Sequence, residues 1–488
     1  MPPAAGQAAA AAAGAGAGGR RPNVVYFIID ELGYFELSLM GHPEFRTPNV
    51  DRMAAEGMRF TQFLAGGSVC APTRATLMTG KHTGHTSLRT NGGWESIRDG
   101  EETLASVLKK AGYATGGFGK WGCGARGTAG VPEKHGFDVF FGYYDQVHAH
   151  TYFPTYLVRN SREAPLEGNT GNFQEGKTFS QYVIFDEARK FLREHKDGPF
   201  FLYLPFTPPH GRWGFPRTDP SWELYKDKPW SDDAKVYAAM VNMIDRQAGE
   251  IVAMLKEFGI DENTIVFFSG DNGGLEYFAD AAHPDGLFGP NADPRTGKRR
   301  FRGGKGRFYE GGLRVPFIVR WPGRIRPGRV SDHLGYFPDV MPTLAELCGA
   351  ACPADTDGIS IVPELVGEEA AGRKQPQHKY LYWEDRNQTA VRMGSWKAIR
   401  PSAKSETWEL YDLAADVGEA ADAAARHPDV LAQLKRFADE AHVPMQAGEV
   451  YDQALVTKDR NVPLGKPIPP EQPEPKAKAK AKSAKAPA

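Results

Sequence analysis

Cysteine is scarce, with four in 488 residues at positions 70, 123, 348 and 352. That number over that length cannot staple a fold, so stability has to come from packed cores. Cys123, Cys348 and Cys352 are expected as small buried side chains, although Cys348 and Cys352 are close enough in sequence to pair if oxidised. Net charge is almost absent too: 59 Lys and Arg against 60 Asp and Glu leave a formal −1. This excludes a global field for nucleic acid and makes any attraction for anions local. No apolar run approaches the roughly 20 residues of a membrane span, so no membrane partner is expected. There are no internal repeats. Through Gly19 the chain has no Leu, Ile, Val or Phe and no basic n-region. Residues 1–21 therefore read as a disordered Ala/Gly-rich leader and a poor secretory signal, which leaves a cytoplasmic and a periplasmic location both open.

Hydrophobic residues, by contrast, make up 41% of the chain, enough for one large domain and a smaller one. Val24 to Ile29, Phe200 to Leu204, Thr264 to Phe268 and Val315 to Arg320 are unbroken apolar runs, the pattern of strands buried on both faces. Thr47-Pro48 opens a helical pattern that stops at Gly57. Ser180 to Glu194 and Asp233 to Phe258 carry apolar residues at three and four spacing. Strands alternating with helices through about residue 370 predict an α/β domain over 22–372, a large doubly wound and mostly parallel sheet with helices on both faces. After Gly372 the texture changes to short aromatic strands: Tyr380 to Trp383, Thr389 to Met393, Trp396 to Arg400 and Trp408 to Tyr411. Met393-Gly394-Ser395-Trp396 would be a tight hairpin, and Pro428 to Ala441 a closing helix. Residues 373–462 are thus expected as a small α+β subdomain with an antiparallel sheet. Residues 463–488, Pro-rich and then Lys/Ala-rich, should be a disordered tail.

Two of the predicted strands end on acidic groups, Asp30-Glu31 and Asp271-Asn272. Ligand groups collect beyond the carboxyl ends of parallel strands. Three carboxylates and an amide oxygen suit a hard cation, Ca²⁺ or Mg²⁺, better than zinc. Either pair alone fits turn and helix-cap chemistry; the two together, with the segment at Cys70, point to a site. That segment reads Cys70-Ala-Pro-Thr-Arg-Ala-Thr-Leu-Met-Thr-Gly80. Pro72 suits a first helical turn, so the run predicts a loop entering a helix at Cys70, with unpaired N–H groups facing an anion and Arg74 four residues on along the same face.

The eleven-residue run resembles the maturation and active-site signature of the formylglycine-dependent (type I) sulfatases, in an arylsulfatase-like branch of the alkaline phosphatase superfamily. Gly112 to Trp121 resembles the second signature of that family, Gly303 to Gly312 a further segment, and Pro205-Phe-Thr-Pro-Pro-His210 the position of a leaving-group histidine. The resemblance spans about Pro22 to Val443. It implies that a maturation enzyme converts Cys70 to formylglycine, and that Asp30, Glu31, Asp271 and Asn272 hold a calcium ion against that side chain. It implies that Lys120 and Lys305 bind sulfate, that Arg74 supports the ionised hydrate, and that His210, with Lys305, protonates the departing oxygen. Hydrolysis of a sulfated small molecule or carbohydrate would then be a double displacement through a covalent sulfoenzyme.

The chain departs from the pattern twice. Glu31 stands where the family usually has aspartate, which moves its oxygens outward. Gly122 follows Lys120-Trp121 where the family has a histidine beside the nucleophile. His148 or His150, and more remotely His85, are the candidates to fill that gap; a loop that only shapes the cleft is the other reading. A phosphate or phosphonate ester hydrolase on the same scaffold, or a non-catalytic binding protein, are the competing functions.

Overall fold

A computed structural model describes residues 20–172 and 174–461; nearly all of the leader and the whole of the tail lie outside the described residues. The large sheet has ten strands. By first residue, their order across it is 329, 58, 317, 264, 23, 200, 114, 139, 156 and 162. The middle of the sheet is parallel: Asn23–Ile29 lies between Phe200–Phe206 and Thr264–Gly270, and Ala114–Lys120 continues beyond Phe200–Phe206. Alternate residues of the central strand enter different cores. Val25, Phe27 and Ile29 pack with the helices Ser180–His195 and Asp232–Glu257, while Val24, Tyr26 and Ile28 pack with Cys70–Thr79 and Val340–Cys348. That double burial is why the strand reads as one continuous apolar run.

The register decides where function can sit. Ile29 is level with Phe206 on one side and with Gly270 on the other. The residues that follow, Asp30, Thr207 and Asp271, therefore leave the sheet along one edge, and Lys120 ends its strand at the same edge. One expected strand differs from the doubly wound pattern. Phe317–Arg320 runs antiparallel to both neighbours, Thr264–Gly270 and Met58–Phe60, and begins two residues later than Val315. Pro316, which has no N–H, stands before it and lends only its carbonyl, to the Gly270 N–H at 3.3 Å.

The C-terminal strands Leu381–Glu384, Thr389–Met393, Trp396–Arg400 and Glu409–Asp412 form an antiparallel meander. Gly394, at φ +58°, makes the expected tight turn. Helix Pro428–Ala441 covers one face of the meander. The other face packs on Leu64, Phe308, Leu313 and Tyr336 of the large unit. The chain then returns to the large unit. Val450 bridges Thr128, and the buried Asp459 of helix Gln453–Asn461 accepts from Arg126 Nε at 2.8 Å. Of the cysteines expected to be buried, Cys123 and Cys348 are; Cys352 is exposed, because Gly349 ends its helix and carries the chain outward. All four are free thiols.

Candidate active site

Helix Cys70–Thr79 begins at Cys70 after extended Val69, and Pro72 lies in its first turn. The Ala71 N–H is met by Asn91 Oδ1 at 2.8 Å. The helix start faces the strand edge, and Cys70 Sγ lies 3.1 Å from Asp30 Oδ1. Asp30 Oδ2 receives Lys120 Nζ at 2.6 Å. Arg74 NH2 lies 3.0 Å from Asp271 Oδ2 and 3.9 Å from Asp30 Oδ2, while its NH1 donates to the Lys120 carbonyl at 2.7 Å. All five of these side chains are fully buried.

Five buried ionisable groups in contact set one another's protonation. Burial alone would raise Asp30, but Lys120 and Arg74 beside it hold its carboxyl well below the usual range. Asp271 loses that contest: burial and the charge of Asp30 push it up to about 7. Burial and Asp30 raise the Cys70 thiol well above its usual value, so the unmodified side chain is a neutral thiol and no nucleophile. Two carboxylates that repel each other in a dry site favour a cation between them. Asn272 Oδ1 is also buried there and has no hydrogen-bond partner. A site of carboxylate and amide oxygens with one oxygen unsatisfied fits a hard divalent ion.

Glu31, at φ +62°, carries the chain sharply off the sheet, and its N–H is held by Asp271 Oδ1 at 3.0 Å. Its side chain gathers the outer half of the site. His210 Nε2 lies 2.7 Å from Glu31 Oε1, while Lys305 Nζ and the Tyr277 hydroxyl also meet this carboxylate. Lys305 Nζ is 3.1 Å from His210 Nε2. Burial lowers Lys305 to about 8 and His210 to about 4. Glu31 thus stands with Lys305 and His210 as well as beside Asp271, and Asp30, Glu31, Cys70 and His210 together form one cluster able to hold a metal.

The three histidines offered for the gap at Gly122 go to different places. His150 is in the site: its Nε2 lies 3.4 Å from Lys120 Nζ, and its ring stacks on His210 at 3.8 Å between centroids. Burial and the neighbouring His210 keep it well below the usual histidine range, so the nitrogen facing Lys120 is an acceptor. The structure does not bring the other two in. His148 is turned into the fold, with Nε2 3.0 Å from the Tyr156 carbonyl, and His85 pairs with Asp357 at 2.8 Å. A side chain at Gly122 would meet an unfavourable backbone conformation and would have to displace Gln146. The Gly122 φ is +77°, and a Cβ there would come within 2.5 Å of Gln146 Nε2. Sequence reasoning missed Gln146 and Tyr277, because nothing local marks a residue whose role is to fill a gap or hold a carboxylate from a distant loop.

Comparison with known proteins identifies the family. Residues 22–350 match the family described as Sulfatase, and residues 303–441 match N-sulphoglucosamine sulphohydrolase, C-terminal. The chain belongs to the sulfatase family. It is 33% identical over 409 residues to N-acetylgalactosamine-6-sulfatase of Canis lupus familiaris, covering 77% of this chain and 71% of that protein. Arylsulfatase A of Homo sapiens is 32% identical over 472 residues, covering 86% and 87%. Among solved structures, Ps i-CgsB in complex with k-i-k-neocarrahexaose superposes with a TM-score of 0.71 at 26% identity, covering 86% of this chain and 92% of that one. As a sulfatase the protein is a hydrolase of sulfate esters.

Proposed function

We propose that this sulfatase hydrolyses sulfate monoesters of carbohydrates at the cluster around Cys70, after maturation of Cys70 to formylglycine and with a divalent cation, calcium first, held by Asp30, Asp271, Asn272 and Glu31. The supporting observation is the contact of Cys70 Sγ with Asp30 at 3.1 Å, with Lys120, Arg74 and Asp271 closing around them. The matured side chain would supply the nucleophile and the cation would neutralise charge on its oxygen and on the sulfate. The chain's own residues do the rest. Lys120 and Arg74 hold Asp30 ionised, Arg74 aligns Asp271, and water is excluded by full burial. Lys305 and Lys120 offer N–H donors to sulfate oxygens as their charge grows. His210 and Lys305, in contact with each other and with Glu31, can pass a proton to the departing oxygen. The space beside Gly122 is taken by Gln146, and His150, neutral and facing Lys120, would serve as the base from its own position.

A carbohydrate as substrate is supported by the relatives: N-acetylgalactosamine-6-sulfatase, and Ps i-CgsB seen with an oligosaccharide. Two measurements test the reading. Mass spectrometry of the Cys70 peptide from protein made alongside a formylglycine-generating enzyme should show the aldehyde. That protein should release sulfate from an aryl sulfate faster than phosphate from the matching aryl phosphate. An unmodified thiol with no turnover would favour a binding protein, and a phosphate or phosphonate preference would favour the esterase alternative.

A further inference from the structure

Helix Gln453–Asn461 lies past residue 441, where the family match ends, and it docks back onto the large unit. Asp459 fixes it there: fully buried, it accepts from Arg126 Nε at 2.8 Å and from the Tyr156 hydroxyl at 2.7 Å. The next residue, Arg460, makes a different set of contacts. Its NH1 lies 3.5 Å from Asp145 Oδ2 and donates to the Gly92 carbonyl at 3.4 Å, and its guanidinium lies 5.4 Å from the Trp94 ring centroid. The socket is shaped to it. Gly93 has a φ of +79°, and a Cβ there would overlap the guanidinium. One side chain therefore joins two loops, 90–94 and 145–150, that are far apart in the chain.

Both loops reach the catalytic cluster. Asn91, next to Gly92, holds the Ala71 N–H beside Cys70. Asp145 opens the turn that carries His150: its Oδ1 receives the Val147 N–H at 2.7 Å and the His148 N–H at 3.2 Å, and its carbonyl receives the Ala149 N–H at 3.1 Å. The same loop leans on Gly122, whose carbonyl accepts from Gln146 Nε2 at 3.2 Å. Asp145 is buried, which pushes its carboxyl up to about 6, and Arg460 is the cation that opposes this and favours the ionised form. Building on the sulfatase reading, we propose that Arg460 is a positioning residue: by tying the Asn91 loop to Asp145 it sets where the His150 imidazole stands relative to residue 70, and so governs release of sulfate from the covalent intermediate. Residue 70 belongs to a fully buried helix of ten residues, whereas His148–His150 is a turn of three. It is the turn that yields when Arg460 is lost. A displacement of about 1 Å in a positioned group costs on the order of a hundredfold in rate.

The test separates the two half-reactions, since in a double displacement kcat/KM reports attack and kcat the slower of attack and release. Full-length matured enzyme carrying Arg460→Met is assayed on 4-nitrophenyl sulfate. It should show a burst of nitrophenol, a kcat lower by about fivefold or more, and a kcat/KM within about twofold of wild type. Arg460→Lys, which keeps the charge, should lie between the two. Lys458→Met, on the same helix but paired with Glu163 near the surface, should behave as wild type. In a His150→Ala background Arg460→Met should lower kcat no further. Equal losses of kcat and kcat/KM without a burst, unchanged kinetics, a burst in Lys458→Met, or a further loss in the absence of His150 would overturn the assignment. If the matured wild type cleaves no aryl sulfate, the sulfatase reading fails, and hydrogen exchange still decides on Arg460. In the unmatured full-length chain the amides of residues 147–149 should exchange about tenfold or more faster in Arg460→Met than in wild type or Lys458→Met; equal rates would overturn the tie.

Discussion

At residue 122 the loss of an imidazole is tied to backbone geometry. A left-handed φ of +77° favours glycine, and a Cβ there would have to displace Gln146 Nε2, 2.5 Å away. Gly122→His should therefore not gain activity. It should cost about 1–2 kcal/mol from the backbone conformation alone, readable as a lower midpoint in urea, with further loss from the clash. His150→Ala should show the complementary effect: a burst of alcohol from an aryl sulfate followed by slow sulfate release, where wild type shows no burst. A full steady-state rate without a burst would remove His150 from the mechanism. A second residue-scale prediction concerns Glu36. It is buried beneath the site and receives the Gly33 N–H at 2.6 Å and the Tyr237 hydroxyl at 2.7 Å. Burial still raises its carboxyl to about 7 from an ordinary 4.5. Between those values the folded protein holds a proton that the unfolded chain has released, so this group's contribution to stability is present at low pH and lost as pH climbs towards 7. Glu36→Gln should flatten the fall in unfolding free energy between pH 5 and pH 7.5 by up to roughly 3 kcal/mol; an unchanged slope would refute the shift.

At the scale of elements, the strand ends were readable in the sequence and the reach of the loops was not. Apolar runs stopping at Asp30 and at Asp271 mark buried parallel strands, and in-register pairing of such strands brings their ends together. Helix Cys70–Thr79 was legible from Pro72, and helix Pro428–Ala441 matches its expected bounds. The direction of Phe317–Arg320 was not, because an apolar strand buried on both faces looks alike whether its neighbours run parallel or antiparallel. The same holds for the loop carrying Lys305. It is anchored by Glu310, whose Oε1 lies 3.0 Å from Lys397 Nζ, while Lys397 also meets Glu419 Oε1 at 2.9 Å. Burial and Glu310 raise Glu419 to about 7, so Lys397 is what reconciles two acids in one dry space. Lys397→Met should cost about 3–5 kcal/mol in urea unfolding, the usual result of breaking a buried pair on one side. KM for an aryl sulfate should rise as the Lys305 loop loosens; a neutral effect on both would show that the joint is not structural.

At the scale of the whole molecule, a cation bound between Asp30 and Asp271 would tie together the starts of two distant loops, so its removal should be felt globally. Chelation of the matured protein should lower its unfolding midpoint, and added Ca²⁺ a hundredfold above its Kd should return about 3 kcal/mol. Asp271→Asn should remove that response. Insensitivity of the wild type to chelator would contradict the oxygen-donor site. Much about this protein followed from the sequence by itself: the α/β class, the antiparallel C-terminal meander, and the acidic ends of the two central strands that meet at one edge. Those properties depend on local pattern, apolar period and side-chain chemistry, all of which are written along the chain. Tertiary structure alone decided that His150 and not His148 or His85 faces Lys120, and that Glu31 gathers His210 and Lys305. Those facts depend on which distant segments come within a few ångströms of one another, and separation along the chain carries no record of that distance.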